Sequence, residues 1–138
     1  MEKHYLDATQ EAGRAFFQRG IYGPVVMLNL LRFRDTADYS ASPELAADIP
    51  ISGKAAYQLY IDHTLPFLQA AGGEVLFMGK GGAFLIGPET ARWDEVLLVR
   101  HASVDRFMAF ARNKAYLKGI GHRTAALEDS RLLPIEQY

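Results

Sequence analysis

The segment from residue 52 to residue 73 constrains the fold most strongly. Its apolar residues recur at helical spacing, which predicts one amphipathic helix that is capped by Ser52 and ends at Gly72. Pro66 removes a backbone hydrogen bond and predicts a kink just after His63. The predicted core-facing stripe consists of Ala56, Leu59, Tyr60, His63, Phe67 and Ala70. The flank outside that stripe carries Tyr57, Ile61 and Leu68, so we expect a second surface to cover it.

His63 stands in the middle of this predicted apolar face. The ordinary pKa of histidine, about 6.5, lets modest burial or a nearby partner tune such a ring for proton transfer. The alternative is a neutral core histidine that is hydrogen-bonded to a tyrosine or to a carbonyl group. The sequence leaves both interpretations open. We take His63 as the candidate catalytic base, with Tyr60 and Phe67 as the walls of an aromatic slot.

Residues 25–33, VVMLNLLRF, form a second strong pattern. The run is rich in β-forming residues and too apolar for a strand with one solvated face, so it predicts a strand that is covered on both faces. Asn29 is the single polar side chain on its face of that strand. A buried amide costs free energy unless it is hydrogen-bonded. Asn29 therefore either ties down a neighbouring loop, which we favour, or contacts a ligand.

The segments on either side of these two supply shorter elements. Asp7 is placed as the N-cap of a helix that runs to about Arg19. Residues 34–51 lack periodicity and predict a long loop, which is either a lid over a pocket or a mobile insertion. Residues 74–87 predict two short strands joined by a tight turn at residues 79–82. The glycines of that turn lack the spacing of a phosphate-binding loop.

The C-terminal part of the sequence predicts a strand, a helical region and a final strand. Trp93 precedes a strand at residues 94–102, and Ser103 is a suitable N-cap for the helix that follows. A second helical piece covers residues 114–127 and is weakened by two glycines. Residues 130–135 complete the pattern as the last strand.

These elements follow the order β-α-β-β-α-β behind an accessory helix. That order predicts an α+β, ferredoxin-like fold, in which one antiparallel sheet carries both helices on one face. We divide the chain into an accessory N-terminal helix, residues 1–23, and one domain, residues 24–138. The face without helices still bears apolar side chains from residues 25–33 and 94–102. Stacking two such faces by a two-fold contact buries them, so we predict a homodimer.

Length, charge and composition exclude several classes of protein. A chain of 138 residues is expected to form one domain. A net charge of −1 offers no basic surface for nucleic acid, and no apolar run approaches the roughly 20 residues that span a bilayer. The N-terminus does not resemble a secretory signal and the sequence contains no cysteine, so we expect a cytoplasmic protein.

The sequence also lacks the motifs of common cofactor and metal chemistry. Its four histidines share no metal-ligand spacing, and no Gly-x-Ser-x-Gly elbow is present. No dinucleotide-binding fingerprint follows the first predicted strand. We therefore expect neither a bound metal ion nor a cofactor.

Several short motifs occur in a characteristic order along the chain. They are Met27-Leu28-Asn29-Leu30, Tyr57-x-x-Tyr60 with Pro66 and Gly72-Gly73, Trp93 ahead of Val96-Leu97-Leu98-Val99, and Asn113-Lys114-Ala115-Tyr116 followed by Arg123. Together they resemble the family named domain of unknown function 1330, in the dimeric α/β-barrel superfamily, over roughly residues 24–135. The resemblance implies a dimer of ferredoxin-like units with a pocket between sheet and helices in each subunit. It implies no established reaction, although the superfamily includes cofactor-free monooxygenases and decarboxylating or isomerising enzymes.

Arg123 is a further candidate because it shares a predicted helix face with Tyr116. Its guanidinium group suits bidentate binding of a carboxylate. The alternative, which we favour, is an ion pair with an acid of the chain such as Glu95, or a side chain that lies along apolar surface. The candidate ligand contacts are Asn29, Tyr60, Trp93, Tyr116 and Arg123.

Three hypotheses about function follow. The first is a homodimer that binds a small, partly apolar molecule in a pocket between sheet and helices near His63. Arg123 would favour an anionic ligand there. The second is a cofactor-independent monooxygenase or proton-transfer enzyme that acts on a small cyclic or aromatic substrate with His63 as base. The third is a structural dimer whose pocket is filled by side chains.

Overall fold

The structure, a computed structural model, describes residues 3–138. Its helices are α1 (Gln10–Gln18), α2 (Gly53–Ala70), α3 (Val104–Ala111), α4 (Lys114–Leu117) and α5 (Ile120–Ala126), with a short 3-10 turn at Pro43–Leu45. Its strands are β1 (Val25–Phe33), β2 (Glu74–Ala83), β3 (Arg92–His101) and β4 (Leu127–Glu136). Within these residues no helix combines the length and the apolar character that crossing a bilayer requires.

The four strands form one antiparallel sheet in the order β2-β3-β1-β4. Strand β1 lies in the centre, where Leu28 pairs with Leu98 of β3 and with Leu133 of β4. Leu31 and Leu97 point to the same side and join the core that α2 covers. Helices therefore cover that side of the sheet, and the predicted α+β, ferredoxin-like fold is confirmed.

Strand β2 differs from the prediction of two short strands. Residues 74–83 form one continuous edge strand, with Gly79 opposite Val96 and Gly82 opposite Trp93, and a bulge between Val75 and Phe77. A Cβ atom at Gly81 would collide with the backbone carbonyl oxygen of Trp93. Glycine at this position permits a close approach of two paired backbones instead of making a turn, so the prediction of a turn at residues 79–82 is wrong.

The helix boundaries depend on side-chain caps. The hydroxyl groups of Ser52 and Ser103 accept backbone N–H bonds at the starts of α2 and α3, as predicted. Helix α1 begins later than predicted, because Thr9 and not Asp7 provides its cap. The helical piece at residues 114–127 is interrupted at Gly119, and β4 begins where α5 ends, so the last strand is longer than predicted.

The buried face of α2 is rotated relative to the predicted stripe. The buried side chains are Ala56, Tyr57, Tyr60, Ile61, Thr64 and Leu68, which include the whole predicted flank. Leu59 is 42% exposed, and His63 lies at the margin of the buried face. The reason is that α2 packs against α5 as well as against the sheet, so the buried arc turns towards α5.

Residues 34–51 are held against α5. The backbone N–H of Asp38 donates to the carbonyl oxygen of Ala125, and the hydroxyl of Tyr39 lies 2.7 Å from Nδ1 of His122. The two ends of the loop are joined by a bond from the Ala37 N–H to the Ile51 carbonyl oxygen. In the structure the loop therefore covers α5 and is tied to it by hydrogen bonds.

The chain that precedes β1 packs along the edge strand β4. The N–H of Tyr5 donates to the Asp129 carboxylate at 2.8 Å, and Nη1 of Arg19 donates to the Pro134 carbonyl oxygen at 2.8 Å. The ring of Phe16 on α1 meets the ring of Phe107 on α3 edge-on. These contacts cover β4 and part of the helical layer.

The opposite side of the sheet carries no helix, and we call it the open face. Its apolar side chains are Val26, Leu28, Leu30, Phe77, Val96, Leu98, Leu133 and Ile135, as the strand register places them. Phe77 and Leu133 are each 54% exposed in the single chain. An apolar surface of this extent on a sheet marks a contact surface.

Candidate functional site

Two adjoining clefts of about 320 Å³ and about 410 Å³ lie where β1 ends and β3 begins, beneath the start of α2. Phe33, Lys54 and Glu95 line both clefts. Tyr57 and Gln58 of α2 complete the first cleft, and the second extends to Lys80, Gly82 and Arg92. The clefts therefore combine an aromatic wall with several charged groups.

Hydrogen bonds fix the strand ends that form the floor of the clefts. The N–H of Phe33 donates to Oδ2 of Asp94 at 2.8 Å, and Nη1 of Arg92 donates to Oδ1 of the same carboxylate at 2.8 Å. The Phe33 ring lies 5.6 Å from the Tyr57 ring, centroid to centroid. Asp94 thus holds β1 against β3, and the two aromatic rings bridge sheet and helix.

Glu95 is the half-buried acid of the clefts. It lies opposite Leu31 of β1 and opposite Lys80 of β2, so its side chain points to the helical side of the sheet. Burial raises the pKa of the Glu95 carboxyl above its ordinary value, and the positive charge of Lys54 acts in the opposite direction. Within residues 3–138 no carboxylate lies within 4 Å of the ammonium group of Lys54 or Lys80.

Tyr57 adds a neutral hydrogen-bonding group beside this acid. Burial raises the pKa of the Tyr57 phenol well above its ordinary value, and the neighbouring Tyr60 raises it further. The hydroxyl group therefore stays protonated at any physiological pH. The residue offers a ring surface and an O–H group, but it does not act as a base.

His63 lies outside both clefts. Its Nε2 atom is 2.9 Å from the carbonyl oxygen of Ala115 and 3.1 Å from that of Tyr116. Carbonyl oxygens only accept hydrogen bonds, so Nε2 carries the proton and donates to both. The ring also stacks near Phe67 at 5.3 Å and passes so close to Gly119 that a side chain there would collide with it. These contacts tie α2 to the segment around α4.

Replacing His63 with alanine should lower the free energy of unfolding by about 1 kcal/mol, because two carbonyl oxygens lose their shared donor. Thermal denaturation followed by circular dichroism measures this change. Gln58→Ala is the matched control on the exposed side of α2, where one side-chain bond to Asp62 is lost, and it should cost only a few tenths of that value. Unchanged stability of His63→Ala together with loss of ligand binding would assign His63 to the site instead.

Three other predicted contacts are engaged within the core or the sheet. Nδ2 of Asn29 donates to the Met27 carbonyl oxygen of its own strand at 3.2 Å. The hydroxyl groups of Tyr60 and Tyr116 lie 2.7 Å apart in the buried interior. Tyr60, Tyr116 and the His63 ring are thus brought together, but as a packed junction of α2 and α4.

Trp93 and Arg123 lie apart from that junction. The guanidinium groups of Arg32 and Arg131 each lie 5.0 Å from the centre of the Trp93 ring. These contacts hold the Trp93 ring against two arginine side chains. Arg123 donates from Nη1 to the Leu6 carbonyl oxygen at 2.7 Å, so it binds the N-terminal segment. None of the six predicted site residues lines either of these two clefts.

The residues that line the clefts were not among the predicted site residues. Lys54 was not a candidate, and Glu95 was considered only as a partner for Arg123. One signal was present: alternation along β3 puts Glu95 on the same face as the core residue Leu97. A carboxylate on the core-facing side of a strand requires a partner or a ligand.

The fold defines an α+β protein of the ferredoxin-like class, and comparison with solved structures places the chain within it. The RPA0582 protein of unknown function from Rhodopseudomonas palustris is 33% identical, with a TM-score of 0.84 over 99% of this chain and 98% of that one. A structure of the methylated RPA0582 protein matches equally, with 33% identity, a TM-score of 0.84 and coverage of 98% and 96%. The chain belongs to the family of the RPA0582 protein.

A more distant match shows the fold alone. A dimeric protein of unknown function with a ferredoxin-like fold from Bacteroides fragilis is 12% identical, with a TM-score of 0.50 over 83% of this chain and 96% of that one. No family model matches the sequence, and no curated protein matches it.

Proposed function

We propose that this protein is a homodimer that binds a small, partly apolar anion in the clefts between sheet and α2. One observation carries the proposal. Lys54 and Lys80 have no carboxylate partner among the described residues, and they lie beside the aromatic wall that Phe33 and Tyr57 form. Ammonium groups attract the anionic end of a ligand, and the rings bury its apolar part. The contacts of His63 support a structural role for that ring, so the proposal does not include turnover.

The open face supports the dimer. Its apolar residues, among them the half-exposed Phe77 and Leu133, need a cover, and a second copy offers the same surface in return. The Bacteroides fragilis protein, which shares the fold, is described as dimeric. The clefts lie on the helical side of the sheet, so such a dimer leaves them accessible. The order of motifs further supports placing the family within domain of unknown function 1330.

The ligand-binding part is tested with benzenesulfonate, an aromatic anion that stays ionised throughout the useful pH range. Titration calorimetry and thermal shift should both detect saturable binding near pH 6, because a ligand that binds only the folded state raises its stability. Lys54→Met and Lys80→Met should each weaken binding about tenfold, the effect of losing roughly 1.4 kcal/mol of attraction.

Lys114→Met, which removes an exposed lysine of α4 away from the clefts, is the matched control and should bind as the unchanged protein does. Equal losses in all three variants would show a nonspecific charge effect. Absence of any binding to the unchanged protein would reject the proposed site.

A further inference from the structure

We propose that Glu95 couples anion binding in these clefts to the uptake of a proton, so that the site takes an aromatic anion and a proton together. This inference rests on the proposed function and adds that the affinity for the ligand depends on pH. Glu95 lines both clefts, and both also contain Lys54. An anion attracted to the lysines therefore comes close to the Glu95 carboxylate.

The groups around Glu95 come from four elements. Helix α2 contributes Lys54 and the neutral Tyr57, and β2 contributes Lys80. On β3 itself the neighbouring carboxylate of Asp94 is bound to Arg92 and to a backbone N–H. From β1, the facing Phe33 brings an apolar ring and no charge.

Glu95 differs from Asp94 in its hydrogen bonding. Asp94 accepts two hydrogen bonds through its two oxygens. In the described part of the chain the Glu95 carboxylate accepts none and has no cation within 4 Å. Apart from solvent, the charge of Glu95 is stabilised by the more distant Lys54, which a bound anion would also attract.

An incoming anion therefore meets either two lysines and a carboxylate or two lysines and a neutral carboxyl. Like charges at close range oppose each other, and the site can remove this repulsion by protonating Glu95. Burial already raises the pKa of the Glu95 carboxyl, with Lys54 acting against that change. Protonation consequently becomes more favourable when the anion is bound, and binding and proton uptake are linked.

The expected result is an affinity for benzenesulfonate that decreases as the pH rises from about 5 to about 8, by up to about tenfold per pH unit. The ligand itself does not titrate in this range, so the protein must supply the dependence. Calorimetric titrations in two buffers of different ionisation enthalpy, at the same pH, measure the proton taken up per ligand bound. We expect a fractional uptake that is largest between the pKa of the carboxyl in the free protein and its pKa in the complex, and that falls towards zero above both.

Glu95→Gln replaces the carboxyl by a neutral group of the same shape. This variant should bind with little dependence on pH, take up no proton, and bind more tightly than the unchanged protein at about pH 8. Glu89→Gln, in the exposed loop after β2, is the control and should keep the pH dependence. Folding of the variants is checked by their thermal transitions without ligand.

The outcomes separate this inference from the proposed function. Binding that is weakened by Lys54→Met but independent of pH in the unchanged protein would overturn the role of Glu95 and leave the site intact. A pH dependence that persists in Glu95→Gln would assign the proton to another group and likewise overturn it. No binding at any pH would reject the site and the inference together.

Discussion

Replacing Leu98 with glutamate should convert the dimer into monomers. Leu98 lies on the open face in the middle of β3, opposite Leu28 on one side and Phe77 on the other. In the dimer that we propose, a carboxylate at this position would be buried against the apolar face of the second copy, without a partner. We expect the dimer dissociation constant to increase at least about 100-fold, which corresponds to roughly 3 kcal/mol.

Analytical ultracentrifugation over a concentration series measures this change, and circular dichroism shows that the variant remains folded. Leu59→Glu is the matched control. Leu59 is 42% exposed on α2, on the helical side of the sheet, so the same substitution there should leave the dimer intact. A Leu98→Glu protein that stays dimeric would show that the two copies meet through some other surface. A monomeric unchanged protein at micromolar concentration would reject the dimer itself.

Local sequence patterns predicted those boundaries that are determined by residues close to them in the chain. The bounds of β1 were predicted to the residue, because Val, Met, Leu and Phe side chains filled both faces of one strand. The start of α2 was predicted because Ser52 caps the helix with its own hydroxyl group. Both signals lie within a few residues of the boundary that they determine.

Elements that depend on distant partners were predicted less well. The buried arc of α2 is turned by roughly 90° from the predicted stripe, because α5 covers the side that carries Tyr57 and Ile61. Apolar periodicity on α2 cannot reveal where α5 packs. In the same way the glycines of β2 indicated a turn, whereas their actual role is to admit the backbone of β3.

The candidate site illustrates the same limit. Lys54, Lys80 and Glu95 come from three separate elements, and only the β2–β3 register and the position of α2 bring them to one cleft. His63 was chosen because a histidine on an apolar face is conspicuous in a sequence. The carbonyl oxygens that bind its ring lie more than 50 positions further along the chain, so its structural role was not visible.

His101 should make the stability of the protein fall as the pH decreases. His101 is the last residue of β3 and is 2% exposed. Its ring lies between those of Phe107 and Phe110, and its Nδ1 atom has no hydrogen-bond partner in the described structure. Burial lowers the pKa of His101 from its ordinary 6.5 to about 4. The unfolded chain therefore binds a proton at a higher pH than the folded chain does.

The sign of the effect follows from that difference. Well above pH 6.5 neither the folded nor the unfolded state carries the proton on His101, and the folded state has its full stability. As the pH falls towards about 4, the unfolded state binds a proton that the folded state does not bind, and the free energy of unfolding decreases. The total loss attributable to His101 is about 3 kcal/mol. Urea denaturation at several pH values, at one protein concentration, measures it. His101→Leu should flatten the curve in this interval, whereas His122→Gln, at a half-buried position on α5, should retain most of the slope. An identical slope in His101→Leu would show that carboxylates, not His101, control stability in acid.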